Sequence, residues 1–424
     1  MLDIAAGNGG GTGFKGVAPN ADLCFAQVYV SETKKRRYVD GTSVFNAISY
    51  ALTQLGTTSP TVVSVSLGTN DGPHDNGTYG MSAWNGLIDA LFDTTTARAL
   101  VWSAGNQGLT DAHLTGMIKK NDPAIFDIRL PRGESFGSEF KIWLDKPAAT
   151  NLTIEGMLAD YKDAPGGYNP SFSTSPVKDE ANNPCVTFGP ATKYGTGTDL
   201  HFIQAVLLPG PLRTTPPGDK ERFEVWRFRL STDSTKKIPF HAWLDHDARD
   251  QARFVTNKNS ANAEVDPNCS LSAAAAGLTN ATIVGAITPG GYQPGKPIFG
   301  PGQGGSISFS SYGPTRGGLQ RPDVSAPGDA IRGARSKGDP IGSKSGYGPV
   351  DTIAMTGTSM AAPHVAGIVA LYLEKLKSGG EAPPTSNTVR LKLRSVARPS
   401  TAGGTAKWDN QRGCGCVDAK LLLK

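Results

Sequence analysis

The sequence predicts an α/β fold in which a parallel sheet carries helices on both faces and is interrupted by an inserted antiparallel β-sandwich. Three observations predict it. The first hundred residues alternate β-branched runs with helix-spaced apolar residues, the middle of the chain shows only short alternating segments between Gly/Pro/Asp clusters, and the α/β pattern returns near residue 281. Strands that alternate with helices need crossover connections, which are right-handed and build parallel sheets. Short strands divided by turn signals build antiparallel sandwiches instead. The expected organisation is a first α/β part over residues 1–118, an inserted β-domain over 119–265, and a second α/β part over 266–424.

Taken in order, residues 23–30 (LCFAQVYV) read as a buried strand. Residues 43–55 place Val44, Ile48, Ala51, Leu52 and Leu55 at helical spacing. Residues 61–67 (TVVSVSL) are rich in β-branched side chains and end at Gly68, as a strand should. Residues 84–92 read as a helix, and 99–103 as a strand ending at Gly105-Asn106. In the insertion the clearest strands are 140–144, 151–157, 201–208, 222–230 and 238–244, separated by clusters such as Ala164-Pro165-Gly166-Gly167. Residues 281–286 (ATIVGA) form another buried strand; a Gly-rich loop, 306–310 and 321–328 follow. Residues 358–376 are apolar around nearly the whole circumference, which suits a helix running through the core. Residues 386–396 make a last amphipathic helix.

Composition narrows the function classes. Of 424 residues, 38% are hydrophobic and 19% charged, an ordinary globular mixture, while 52 Gly and 30 Pro provide many special backbone positions. A net charge of +5 is too mild to argue for nucleic acid, and the basic run Lys34-Lys35-Arg36-Arg37 reads as a solvated loop between a strand and a helix. Five cysteines are too few and too scattered for a disulfide framework. Cys414-Gly415-Cys416 lacks the second pair that a metal site would need. No apolar stretch reaches the ~20 residues of a membrane helix, so no membrane partner is expected. The opening residues do not have the pattern of a signal peptide.

The segment richest in chemistry is Gly357-Thr358-Ser359-Met360-Ala361-Ala362-Pro363-His364-Val365-Ala366-Gly367. Here a Ser sits where a Gly-rich loop meets the start of a long buried helix. Small neighbours let a substrate backbone approach, and the positive end of the helix dipole favours negative charge near the hydroxyl. Both suit a nucleophile that attacks a carbonyl. Pro363 is expected in the first turn, where its missing N–H has no partner to lose. For a lone Ser before a helix, simple capping is the commoner role.

The whole string resembles the nucleophile motif of the subtilisin family, GTSMA-xPHVAG, at every position. Gly16-Val17-Ala18-Pro19-Asn20-Ala21, Val65-Ser66-Leu67-Gly68, Ser103-Ala104-Gly105-Asn106 and Asp323-Val324-Ser325-Ala326-Pro327-Gly328 resemble the same family in the same order. The resemblance covers residues 2–106 and 281–419 and leaves the insertion outside; some relatives carry a jelly-roll β-domain at this place. It implies a subtilisin-like serine endopeptidase acting on polypeptide substrates. Ser359 would be the acylated nucleophile, and Asn106 would donate its side-chain amide to the tetrahedral oxyanion beside the Ser359 N–H. Ser66, Leu67 and Gly68 would pair with substrate backbone as an added strand. Ala104 and Gly105 would line the pocket for the side chain before the scissile bond.

The family orders its triad Asp, His, Ser along the chain. Here Ile4-Ala5-Ala6-Gly7 resembles the tail of the helix that the catalytic His opens, so neither the His nor the Asp falls within these residues. His364 belongs to the motif and reads as structural; His74, Asp75, His113 and His201 carry no motif, and His241, Asp245, His246 and Asp247 belong to the insertion. The expectation is a truncated peptidase that is inactive alone. The alternatives are a peptide-binding pseudoprotease, or a fragment complemented by a separate chain that supplies the missing N-terminal segment. No cofactor is required. The resemblance also allows a structural calcium near residues 8–13, and it favours an extracellular or cell-envelope location.

Overall fold

The computed structural model describes residues 1–10, 13–28, 31–33, 36–38, 41–56, 59–75, 83–93, 97–131, 138–145, 150–158, 172–174, 177–178, 184–194, 199–207, 223–245, 252–256, 259–288, 307–335, 352–399 and 408–424. Outside them lie residues 11–12 of the expected calcium loop, Lys34 and Lys35, the 164–167 cluster, His246, Asp247 and the end residues Tyr29, Val30, Leu208, Arg222 and Ser306 of expected segments.

The frame is a four-stranded sheet ordered Val324–Pro327, Ala281–Ile287, Arg98–Ser103, Thr61–Val65, with every neighbouring pair parallel. Alternation along Arg98–Ser103 decides which helix meets which face. Ala99 and Val101 pack with Ala361, Ala362, Val365 and Val369 of the long helix Thr358–Ser378. Leu100 and Trp102 point the other way, onto Val44, Ile48 and Leu52 of Gly41–Leu55 and Ile88 of Ala83–Ala90. Both faces are thus covered, which is why these strands read as continuous apolar runs. Val365 and Val369 are wholly buried, each contributing about 1.5–3 kcal/mol against an exposed state.

Two antiparallel sheets form the inserted β-domain. One is ordered Ala263–Val265, His113–Ile118, Ile238–Asp245, Ser138–Asp145, Leu200–Leu207, Pro184–Phe188, Val177–Lys178, with Thr192–Lys193 also on Leu200–Leu207. The other is ordered Arg253–Val255, Ala124–Pro131, Phe223–Thr232, Leu152–Leu158. Phe126, Phe140, Phe228, Phe240 and Phe254 from both sheets meet in one core, with Phe140 edge-on to Phe228 at 5.0 Å. The strand His113–Ile118 already belongs to this β-domain, so its first sheet begins before residue 119.

Three local expectations change. Residues 23–28 form no strand, and Leu23 and Phe25 are 56% and 72% exposed. An apolar run becomes a strand only where a neighbour offers ladder partners, and among the described residues the parallel sheet ends at Thr61–Val65. Arg36 and Arg37 lie in a strand, Arg36–Tyr38, paired antiparallel with Ser31–Thr33, rather than in a plain loop. Pro363 sits in the second turn of its helix, not the first. There its missing N–H removes a bond that the Ser359 carbonyl would otherwise accept.

Candidate active site

The site is assembled at the N-terminus of Thr358–Ser378, where three loops from the C-terminal ends of parallel strands converge. Such ends are where α/β folds gather ligands. Ser359 is half-buried in the first turn and Asn106 is exposed on the loop after Arg98–Ser103.

Asn106 is fixed by the residue before the nucleophile. The Thr358 N–H donates to Asn106 Oδ1 at 2.9 Å, and the Thr358 hydroxyl lies 3.0 Å from the same oxygen. A backbone N–H can only donate, so the atom facing it must be the amide oxygen, which turns Nδ2 the other way. A methyl group built on Gly357 would lie 3.4 Å from Asn106 Nδ2 and 3.7 Å from both Asn106 Oδ1 and Ser359 N, so the Asn106 amide and the Ser359 N–H border the same side of Gly357. Thr358 completes the brace, since its hydroxyl accepts the Gly105 N–H at 3.2 Å and lies 3.2 Å from the Gly105 carbonyl. Gly105 has φ +116°, and a side chain there would meet Ser311 Oγ at 2.8 Å, so only glycine suits the turn.

Ser66 enters through its side chain. Its hydroxyl donates to the Ser359 carbonyl at 3.0 Å, replacing the helical bond that Pro363 cannot make. Leu67 lies half-buried, with its carbonyl accepting the Trp102 indole N–H at 2.7 Å. Gly68 packs on Ser272, where a side chain would come within 2.9 Å. Ala104 differs from its expected place. It is 0% exposed, with its N–H on Val284 O and its carbonyl on the Ser272 N–H, so it stands behind the site rather than at its surface.

The helix end supplies a positive field and no acidic residue in its first turn, so negative charge formed at Ser359 is favoured. Five histidines are described. His364 is half-buried with Nδ1 2.8 Å from Met360 O, and burial lowers its pKa. His201 Nδ1 lies 2.8 Å from Asp199 O. His74, His113 and His241 gather in a buried stack with Trp243 at the junction with the β-domain. Asp245 faces Thr69, and Asp75 packs against Gly317. No group of three or more His, Cys, Asp or Glu side chains suited to a metal occurs among the described residues. None of the described helices is long and apolar enough to cross a membrane.

Sequence reasoning missed Thr358 and the Ser66 hydroxyl. A signal for the second was present: a proline four residues after Ser359 leaves that carbonyl in need of another donor.

Comparison with known proteins gives the lineage. The chain is 39% identical over 108 residues to subtilisin-like protease 7 of Arthroderma gypseum, a match covering 26% of this chain and 22% of that protein. The matched part thus spans under a quarter of that curated relative's length. The CspB protease of Clostridium perfringens superposes on 100% of this chain and 78% of its own, with a TM-score of 0.70 at 21% identity, which establishes a shared fold. The patellamide maturation protease PatA aligns with 36% of the chain and 44% of its own at 26% identity, with a TM-score of 0.25. The model of the subtilase family, Peptidase S8, matches residues 3–200 and 252–415, and to that family this chain belongs.

Proposed function

We propose that the chain is the nucleophile-bearing part of a serine endopeptidase, with Ser359 as the acylated residue and Asn106 as the oxyanion donor. The observation that carries this reading is that the Thr358 N–H holds Asn106 beside Gly357 and Ser359 N, at the positive end of a buried helix. Ser359 Oγ attacks the substrate carbonyl carbon, and its proton passes to a base. The carbonyl oxygen takes up the displaced electron pair between the two donors. Collapse expels the amine and leaves an acyl ester on Ser359; water then hydrolyses the ester and restores the hydroxyl. Ser66 and Gly68 hold the substrate backbone as an added strand, and Gly105 lines the pocket beside it.

None of the histidines among the described residues is assigned as the base. The ring contacts of His74, His113, His201, His241 and His364 lie with other partners, and the family resemblance assigns the base to none of them. With no base, Ser359 stays protonated near neutral pH, and binding plus the oxyanion donors alone would leave roughly 10³–10⁴-fold acceleration over water. The 424 residues on their own are therefore expected to show no measurable proteolysis. Intact-mass analysis after incubation with a fluorophosphonate tests this: the expected result is no stoichiometric adduct. Full labelling at Ser359 would show that a base is already in place.

A further inference from the structure

The segment that continues Ser66–Gly68 is held by the inserted β-domain rather than by the frame alone. Asn70 Nδ2 donates to Leu244 O at 2.8 Å, Asp71 pairs with Lys141, and Thr69 Oγ1 lies 3.5 Å from Asp245. The His74 ring lies flat on Trp243, with centroids 4.0 Å apart and planes 4° from parallel. Its two nitrogens lie 2.8 Å from Leu271 O and 3.0 Å from Asn70 O, and the neutral ring donates its single N–H to one of them. His74 is 1% exposed and has φ +52°, a left-handed conformation that a bulky residue keeps only where its surroundings over-determine it. Trp243 is itself anchored, its indole N–H donating to Cys269 O at 2.9 Å. On the frame side, the Ala273 N–H donates to Thr69 O at 2.7 Å and the Arg316 N–H to His74 O at 3.0 Å. Residues 69–74 are thus pinned between two domains, one residue beyond the strand that meets substrate.

We propose that His74 is a positioning residue: clamped between Trp243, Asn70 O and Leu271 O, it lets the β-domain set the placement of Ser66 and Gly68 against the substrate backbone. The proposal deepens the endopeptidase reading and rests on it. It gives the insertion a role in the affinity for extended peptides, separate from the chemistry at Ser359.

The test compares two probes on the full chain. One is a fluorescein-labelled hexapeptide aldehyde, long enough to lie along residues 66–68; the Ser359 oxygen adds to the aldehyde carbon while its proton moves to the carbonyl oxygen, so the neutral hemiacetal needs no separate base. The other is a labelled single-residue aldehyde, which reaches only Ser359 and its donors. His74→Ala is expected to weaken the hexapeptide about tenfold while changing the short probe less than about twofold, since a misplacement of an ångström or so costs on this scale. Trp243→Phe, which keeps an aromatic face against His74, should retain most of the wild-type affinity for the hexapeptide. Equal loss of both probes, or no loss of either, overturns the proposal. Should His74→Ala not fold, Asp71→Asn decides by the same split at about threefold, because it removes the ion pair with Lys141 and leaves the Asp71 N–H on Thr69 Oγ1. If the wild-type chain binds neither probe, or Ser359→Ala binds both unchanged, the endopeptidase reading falls and this one with it. If wild type binds and Ser359→Ala does not, while the seam variants match wild type, only the positioning role is lost.

Discussion

Two buried clusters of titratable side chains flank the parallel sheet, and they solve the cost of burial in opposite ways. Near the start of Val324–Pro327, Asp323 and Arg321 are both wholly buried and paired, with Arg390 and Arg394 reaching the other carboxylate oxygen at 3.2 and 3.0 Å. Burial alone would raise the Asp323 pKa, but Arg321, Arg390, the Ile283 N–H and Arg394 together outweigh it and hold the carboxyl below its usual value. At the junction with the β-domain, His74, Trp243, His113 and His241 stack instead, with His113 Nε2 3.0 Å from His241 Nδ1. Burial lowers all three imidazoles, His74 to about 3 against the opposing Asn70 and Leu271 carbonyls, with Arg316 reinforcing the shift at His74 and His241 and Asp266 opposing it at His113. One cluster keeps charge by pairing it; the other excludes charge. The first is a permanent brace, the second a joint whose strength follows pH.

The largest expected effect breaks the charged cluster. Asp323→Asn leaves Arg321 buried without its counter-ion and should cost about 3–5 kcal/mol in chemical denaturation at neutral pH. An intermediate effect separates the clusters by pH. The folded-state pKa of each stacked imidazole lies below its unfolded value, so stability is full above about 6.5 and falls as the unfolded chain takes up protons that the buried rings refuse. Between pH 6.5 and 5.5 each ring should cost about 1 kcal/mol. Asp323, whose folded pKa is depressed, contributes nothing to that slope until pH falls below the ordinary carboxylate range. Unfolding curves at the two pH values, compared with those of His241→Gln, read the difference; a slope unchanged in the variant would contradict the neutral stack. The smallest effect lies at the nucleophile. Ser66→Ala should cost about 1 kcal/mol by leaving the Ser359 carbonyl without its donor. In a Pro363→Ala background, where a helical N–H returns, the same substitution should cost less.

The comparison also explains what could be read from the sequence. The frame was legible because its signals are local: β-branched runs, helical spacing, and a helix over 386–396 whose start is fixed by Thr385 capping the Thr388 N–H at 3.2 Å. The Ser359 and Asn106 segments were legible through motif resemblance, and the structure brings them together. Residues 23–28 failed because an apolar run predicts burial but not the presence of a ladder partner. Pro363 was placed one turn too early although the helix begins at Thr358 as expected, because its sixth residue already needs an acceptor four positions back. The seam was invisible for a different reason. Asn70 meets Leu244 across 174 positions of chain, and no local pattern in LDHD or GPHD announces the pairing.

The central claim is that Ser359 and Asn106 serve one substrate oxygen, and carbon-13 NMR of a bound peptide aldehyde labelled at its carbonyl carbon tests it most directly. The Ser359 oxygen adds to that carbon while its proton moves to the carbonyl oxygen, so a hemiacetal signal is expected on the wild-type chain and none in Ser359→Ala. The affinity should fall about 10²-fold or more in Asn106→Ala, the scale known for loss of such a donor in subtilisin itself. A labelled carbon that gives no hemiacetal signal, or an adduct indifferent to Asn106→Ala, would contradict the account.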